Sequence, residues 1–593
     1  MQNDVILLNN YTVYLYRVND TTPILSSVTN IWGVFTMSVD IIHFNSILYL
    51  IAENNYKNIK LLFILQSSPI IINEVSSICG IYAFSQFYTN GCISGNNKSL
   101  TTASHFDLSC GGDFSTVLKT TPNGNQTNSW QILSNLCNLF GSSIRNQTCY
   151  LQLVSLTTGK ITNTLEYFHY ITQNPANNVT TIYNLSTGYF ILYTNTLISI
   201  PDAFTVVIKF NNSGNNDYMF GGPGSLAFDK NGYAWITNNV VQGTPDSSNY
   251  AIVLKPNGQP SNLSPLFGGG ILGSGFGVAT NKNKSQICIT NFGWGNLFPT
   301  PQGSLSLFNI NGVALTPNAS GSNTGGYMKD TNRVQGVKVD GNNNIWMASY
   351  ANDRVVVYLN GDENNSTYIQ FEQYDAPFDI AIDSNNYAVV SLQGNQTLGS
   401  GQVLSKLVKM YLDQNNVIQI YFAYVMPIYT DKLLGISIDS NNNIFANSFS
   451  IDCVYKFDPE GNLVNTITGG GLYSPWGSHI DGNNNVLVAN FYPNTENNYG
   501  ISYFNNNGTA KSPSNGFTVK TGGDQVLMAN GEPLYGYSGD PSYNPLMRQT
   551  GINVDCAGNV WVCNNWKPSP ITDITNPGGD GIVVFIGLAS PLY

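Results

Sequence analysis

Charge is what this 593-residue chain has least of: Lys, Arg, Asp and Glu together make up 10% of it, against about a quarter in an ordinary globular domain. The 24 basic residues are scattered, no Lys/Arg cluster forms, and the net charge is −11. Nucleic acid needs a basic footprint, so that class of partner is excluded. Histidine is scarce too, with four in all, at positions 43, 105, 169 and 479. There is no CxxC pair, Gly-x-Ser-x-Gly elbow, phosphate loop or HExxH, so zinc ribbons and the common hydrolase and metalloprotease signatures are absent. No apolar run spans a membrane; the longest early one, from Ile41 to Ala52, is short and interrupted. The start lacks the basic and apolar regions of a signal peptide, so the expectation is a chain without a membrane span, or a mature form whose leader is missing.

What replaces charge is amide and hydroxyl. There are 80 Asn and 96 Ser plus Thr, beside 42% hydrophobic residues that include 35 Tyr and 29 Phe. Ample apolar content with turn-forming polar residues predicts a mainly β protein. The length predicts two to four domains.

Self-similarity is the strongest signal. One phrase recurs: a Gly, a short apolar strand ending in Asp, a polar turn, then a second apolar strand. The first copy is Gly224–Asp229 followed by Tyr233–Thr237, and a degenerate second is Gly277–Asn281 with Ile287–Thr290. The others are Gly336–Asp340 with Ile345–Ala348, Phe378–Asp383 with Tyr387–Val390, Gly435–Asp439 with Ile444–Ala446, Gly477–Asp481 with Val486–Ala489, and Gly551–Asp555 with Val560–Val562. Most copies continue into a third strand and several into a fourth, which predicts a β-propeller of six to seven four-stranded blades over residues 201–593. The Asn-rich turns supply residues that tolerate φ > 0, and the leading Gly suits close backbone approach at a crowded axis. The last copy stops after Gly581–Ile586, its third strand, while Phe204–Phe210 is a strand without a repeat. It is therefore predicted to complete the last blade and leave no open sheet edge at the seam.

The segment Gly222–Asn238 resembles an NHL repeat, and the propeller is similar to those of NHL-repeat proteins and of the virginiamycin B lyase group. The ending Val583–Leu592 resembles the close of large secreted bacterial NHL-repeat proteins. A propeller fold hosts many activities, so the resemblance implies fold more than function.

Residues 1–72 alternate in strand fashion at Tyr11–Tyr16, Ile31–Val39 and Ile47–Ala52, and resemble a small transthyretin-like β-sandwich. Apolar spacing then turns helical at Ile71–Phe87, Ser129–Phe140 and Asn163–Ile171, which predicts a helical module over 73–200. Five of the nine cysteines lie between Cys79 and Cys149. Two disulfides in an oxidising compartment or a set of free buried thiols both fit, and Cys137 with Cys149 is the first disulfide candidate.

For chemistry, His479 is the one propeller histidine. It either faces the central channel or packs between blades, and no partner acid stands out beside it. The virginiamycin lyase resemblance would imply a His with a nearby acid and a divalent metal; from the residues themselves no cofactor or metal is expected. The recurring Asp residues read as turn staples, because no copy carries the Glu that closes a calcium loop. Trp235, Trp346 and Trp561 recur in second strands and read as core. Asn125, Asn146, Asn178, Asn184, Asn262, Asn318, Asn365, Asn395 and Asn507 head Asn-x-Ser/Thr sequons and are glycosylation candidates; composition alone yields about as many by chance. The expected role is a non-enzymatic surface or assembly protein, extracellular or on a virion or fibre, with protein or carbohydrate as partner. The alternative is a lyase or hydrolase acting on a glycan or cyclic ester in the propeller cleft.

Overall fold

The computed structural model describes residues 7–592 apart from 41–45, 55–57, 119–126, 158–160, 296–302, 321–323, 396–400, 497, 520–544 and 568–577. From Pro223 onward the strands form seven antiparallel sheets arranged as a propeller. Blade 1 runs from Pro223–Phe228 to Leu266–Phe267, and blade 2 has three strands, Ser274–Thr280, Gln286–Asn291 and Ser304–Asn309. Blades 3 to 6 begin with the inner strands Val334–Val339, Pro377–Ile382, Leu433–Ile438 and Pro475–Ile480, each heading a four-stranded sheet. Blade 7 is built from Arg548–Val554, Val560–Trp566, Gly578–Phe585 and the seam strand Val207–Phe210. The seam strand pairs with Gly578–Phe585 in the register Ile582↔Phe210 to Phe585↔Val207, so the predicted ring closure and the degenerate second blade are both observed.

The repeat phrase has a physical reason at each end of the inner strand. At its start every inner strand breaks register with its neighbour, between Pro223 and Leu226 in blade 1 and at the corresponding place in the others. That bulge tilts the backbone toward the next blade. A Cβ on Gly277 would lie 2.1 Å from the Gln335 carbonyl oxygen, and one on Gly477 would lie 2.2 Å from that of Thr550. Glycine is required because the adjacent inner strand occupies the side-chain position. Blade 4 carries Asp379 instead, and its carboxylate accepts from the Ile436 N–H of the next inner strand at 2.9 Å.

At its end each inner strand turns on the Asp, or on Asn281 in blade 2. In blade 3, Asp340 Oδ1 accepts from the N–H groups of Asn342 and Asn344 at 2.8 and 2.9 Å, while Oδ2 accepts from Trp346 Nε1 at 3.0 Å. Asp229 and Asp555 hold Trp235 and Trp561 in the same way. Three residues after the Asp the backbone is left-handed, at Asn343, Asn386, Asn442 and Asn484 (φ 62–64°). This accounts for the Asn runs, since Asn is less strained in that region than other non-Gly residues. The three Trp are fully buried, as core.

The N-terminal third differs from the expected sandwich. Its strands β1 (Thr12–Arg17), β2 (Leu25–Val28), β3 (Leu48–Asn54) and β4 (Ile59–Ile64) form one four-stranded sheet in the order β2-β1-β3-β4, and the other sheets of this region are two short ladders, Tyr88–Thr89 with Cys92–Ile93 and Ser109–Cys110 with Asp113–Phe114. The expected strand Ile31–Val39 does not form: residues 31–33 turn, and beyond them Phe35, Met37 and Val39 pack on the core without joining a ladder. The helices are α1 (Glu74–Ala83), α2 (Asn97–Ser104), α3 (Ser129–Arg145), α4 (Gln147–Ser155), α5 (Thr164–Gln173) and α6 (Val179–Gly188). The free edge of β4 is satisfied by helix side chains: Ser76 Oγ of α1 donates to the Leu62 carbonyl at 2.7 Å, and Ser77 Oγ accepts from the Leu62 N–H at 2.9 Å.

Apolar residues of β1, β3 and β4 share a core with α1 and α3, and that core runs on to Val206, Ile208 and Phe210 at the seam and to Trp561 of blade 7. Ser129 Oγ of α3 both accepts from the Val207 N–H and donates to the Val207 carbonyl, each at 2.7 Å, and Tyr82 OH donates to the Phe204 carbonyl at 2.6 Å. The helices thus hold the strand that closes the ring.

Candidate functional site

The propeller has two distinct axial ends. The inner strands start at the end called here the upper face and finish in the Asp turns of the lower face. At the upper face the residue before the bulge position is aromatic in blades 2, 4 and 6. Phe276, Phe378 and Trp476, from alternate blades, meet there with ring centroids 5.6 Å apart in both contacts.

The ends of the second strands surround this trio with more rings. Phe292 stacks on Trp294 at 4.5 Å and touches Tyr350 at 5.6 Å, and Trp294 meets Trp566 edge-on at 5.8 Å. Trp476 stacks on Phe491 at 4.7 Å, with Phe449 and Tyr492 beside them. Arg333 lies 5.3 Å from the Phe292 ring, and Arg548 lies 5.2 Å from that of Tyr492. Phe378 and Phe491 are buried, whereas Phe276, Trp294, Tyr350, Phe449, Trp476, Tyr492 and Trp566 are half-buried.

Polar atoms without partners are interleaved with these rings. Gln335 Oε1, Asn447 Oδ1, Trp476 Nε1, Arg548 Nε and Gln549 Nε2 are inaccessible and make no hydrogen bond. Each such atom costs about 1–3 kcal/mol, and native structures hold few of them. These five stand among the rings of this face, and others lie elsewhere in the chain.

Deeper along the axis the lining becomes polar: Lys338, Asp379, Asn553 and the Ser437–Ser478 hydroxyl pair, 3.0 Å apart. His479 does face the channel. Its Nε2 is inaccessible and unpartnered, and burial first, then the Lys338 charge, pulls its pKa down to about 3. The ring is therefore neutral at pH 7. The nearest acid along the strand, Asp481, is engaged by Asn485 Nδ2, Tyr503 OH and backbone N–H groups, so it forms no dyad with His479. Among the described residues no three His, Cys, Asp or Glu side chains come together as a metal-ligand set.

The remaining candidates are dispersed. Asn178, Asn184, Asn262, Asn318, Asn365 and Asn507 are exposed, Asn146 and Asn395 are half-buried, and Asn125 lies outside the described residues. Asn146 is already the cap of α4, accepting from the N–H groups of Thr148 and Cys149. The expected Cys137–Cys149 disulfide is not formed, and all nine cysteines are free thiols. Cys137 and Cys149 sit in the apolar core as small hydrophobic side chains, and burial raises the pKa of both. Sequence reasoning missed the aromatic face. Its signal was present as an aromatic before the bulge position (Phe276, Phe378, Trp476) and just after the second strand (Phe292, Tyr350, Phe449, Phe491).

No family model matches the sequence, and no curated protein matches it. Among solved structures, a streptogramin B lyase is 12% identical, with 64% of this chain and 96% of that chain covered and a TM-score of 0.40. The virginiamycin B lyase of Staphylococcus aureus is 10% identical, with 64% and 98% covered and a TM-score of 0.41. The periplasmic gluconolactonase of Pseudomonas aeruginosa is 12% identical, with 52% and 96% covered and a TM-score of 0.37.

Proposed function

We propose that this chain is a non-enzymatic binding protein whose propeller takes a carbohydrate on its upper face. The observation that carries the reading is the interleaving of half-buried Trp, Tyr and Phe rings with buried polar atoms that lack partners. Rings offer flat apolar area to the C–H faces of a sugar, and the polar groups set among them suit its hydroxyls. The alternative, a lyase or hydrolase acting on a glycan or cyclic ester, needs an acid–base pair at the axis. His479 lies below the aromatic trio and is not paired with an acid. An extracellular or particle-surface setting belongs to the same proposal; nine unbridged thiols fit a protein made in a reducing compartment, as a particle component would be.

A glycan array followed by titration calorimetry tests the reading. A bound glycan is expected, with affinity at least about tenfold weaker for Trp476→Ala and for Trp566→Ala. Absence of any glycan ligand, or full affinity in both variants, would sink it.

A further inference from the structure

The lower end of the axial channel carries a second site of different chemistry. A cavity of about 240 Å³ opens there between the propeller and α2. Three ammonium groups line it: Lys98 of α2, Lys284 in the blade 2 turn and Lys338 on the blade 3 inner strand, with His479 at its inner end. Lys98 and Lys284 are exposed at the mouth and Lys338 is half-buried, so the charges form a funnel. Lys98 Nζ donates to the Lys230 carbonyl at 2.6 Å, which fixes its position without neutralising it.

Among the described residues, the acids around the cavity are committed elsewhere. Asp229 accepts from the N–H groups of Asn231 and Tyr233 and from Trp235 Nε1. Asp555 accepts from Ala557, Asn559 and Trp561. Asp379 feels the Lys338 charge, but its oxygens accept from the Ile380 and Ile436 N–H groups. Among the described residues, none of the three lysines has a carboxylate within 4.0 Å. The repeat itself explains the asymmetry, because blade 2 has Asn281 where the six other blades place an Asp at that turn. A second, independent mark is His479 Nε2, inaccessible and unpartnered on the wall of the same cavity. Desolvation at the cavity mouth and, second, the charge of Lys98 lower the Lys284 pKa.

We propose that this lower mouth binds a phosphoryl or sulfate oxyanion, held by Lys98, Lys284 and Lys338, with His479 offering Nε2–H at the inner end. Ammonium-to-oxyanion hydrogen bonds are among the stronger ones, and a helix-borne lysine at the rim steers the anion inward. The site is on the opposite face from the aromatic trio and does not depend on the carbohydrate reading.

Titration calorimetry of the full chain with inorganic phosphate, sulfate and glucose 6-phosphate at low ionic strength tests it. Saturable one-to-one binding is expected, roughly tenfold weaker in Lys338→Met and several-fold weaker in Lys98→Met and Lys284→Met. Lys255→Met, on the rim of blade 1, should leave affinity unchanged. Tighter binding of glucose 6-phosphate than of inorganic phosphate identifies a phosphomonoester as the natural form; the reverse identifies the free ion. In the ring spectrum of the four histidines, the signal missing from His479→Asn should shift on phosphate addition. Should Lys338→Met fail to fold, the exposed Lys98→Met carries the test. No saturable binding of any of the three anions, or wild-type affinity in the folded lysine variants, overturns the proposal.

Discussion

Removing one partner of the buried ion pair at the seam should open the ring more than any surface change. Lys209 of the seam strand and Asp580 of blade 7 are 2.5 Å apart, with side chains 0% and 2% exposed. In Lys209→Met the Asp580 carboxylate keeps Asn564 Nδ2 at 3.2 Å but loses its counter-charge. Breaking a buried pair from one side costs about 3–5 kcal/mol, whereas replacing both partners with apolar groups is close to neutral. At about 2 cal/mol/K per residue of unfolding entropy, a propeller of this length loses roughly 4–6 °C of Tm in the single variant. Lys209→Met/Asp580→Leu should recover most of that. Differential scanning fluorimetry reads the Tm, and limited proteolysis reads release of the segment before blade 1. A Tm for Lys209→Met within about 1 °C of wild type, or a double variant no better than the single, would refute the reasoning.

Other expectations follow from the same geometry. Because burial lowers the His479 pKa from 6.5 to about 3, the unfolded chain binds the proton first as pH falls. Stability at His479 is therefore intact above about pH 6.5 and is lost progressively between there and about pH 3, by roughly 2 kcal/mol at pH 5. The wild-type minus His479→Asn difference in urea unfolding across that window measures it. Asp340→Ala strands Trp346 Nε1 and two turn N–H groups and should cost about 2–4 kcal/mol, read by denaturant midpoint. Thiol titration of the native protein should label the exposed Cys110 fastest, and nine thiols should react after unfolding; fewer than nine would show a disulfide. Gly477→Ala places a methyl against the Thr550 carbonyl and the Phe276 ring and should lower Tm by several degrees.

Much of this fold was legible in the sequence, because its determinants are local. The Gly, the Asp and the Asn three residues later each answer a backbone demand that recurs around the ring, and the unmatched strand Phe204–Phe210 disclosed the seam. The sheet at the N-terminus was harder to read. Residues 31–39 alternate as a strand does, but whether an extended segment finds a ladder partner depends on the chain packed around it. Here α1 and α5 cover the edge of β4, with Thr164 Oγ1 accepting from the Lys60 N–H at 3.0 Å. Cys137 and Cys149 are close in sequence, yet each thiol is taken up by helix packing. The aromatic face and the lysine funnel collect residues from several blades, and only the closed ring brings them together.

The most direct test of the carbohydrate-binding account is a titration of the wild-type chain and Trp476→Ala/Trp566→Ala with the glycan selected on the array, with the ligand recovered afterwards for mass spectrometry. The account predicts saturable binding to wild type, binding lost in the double variant, and a ligand recovered unchanged. A cleaved or eliminated product, or binding that survives in the double variant, would contradict it.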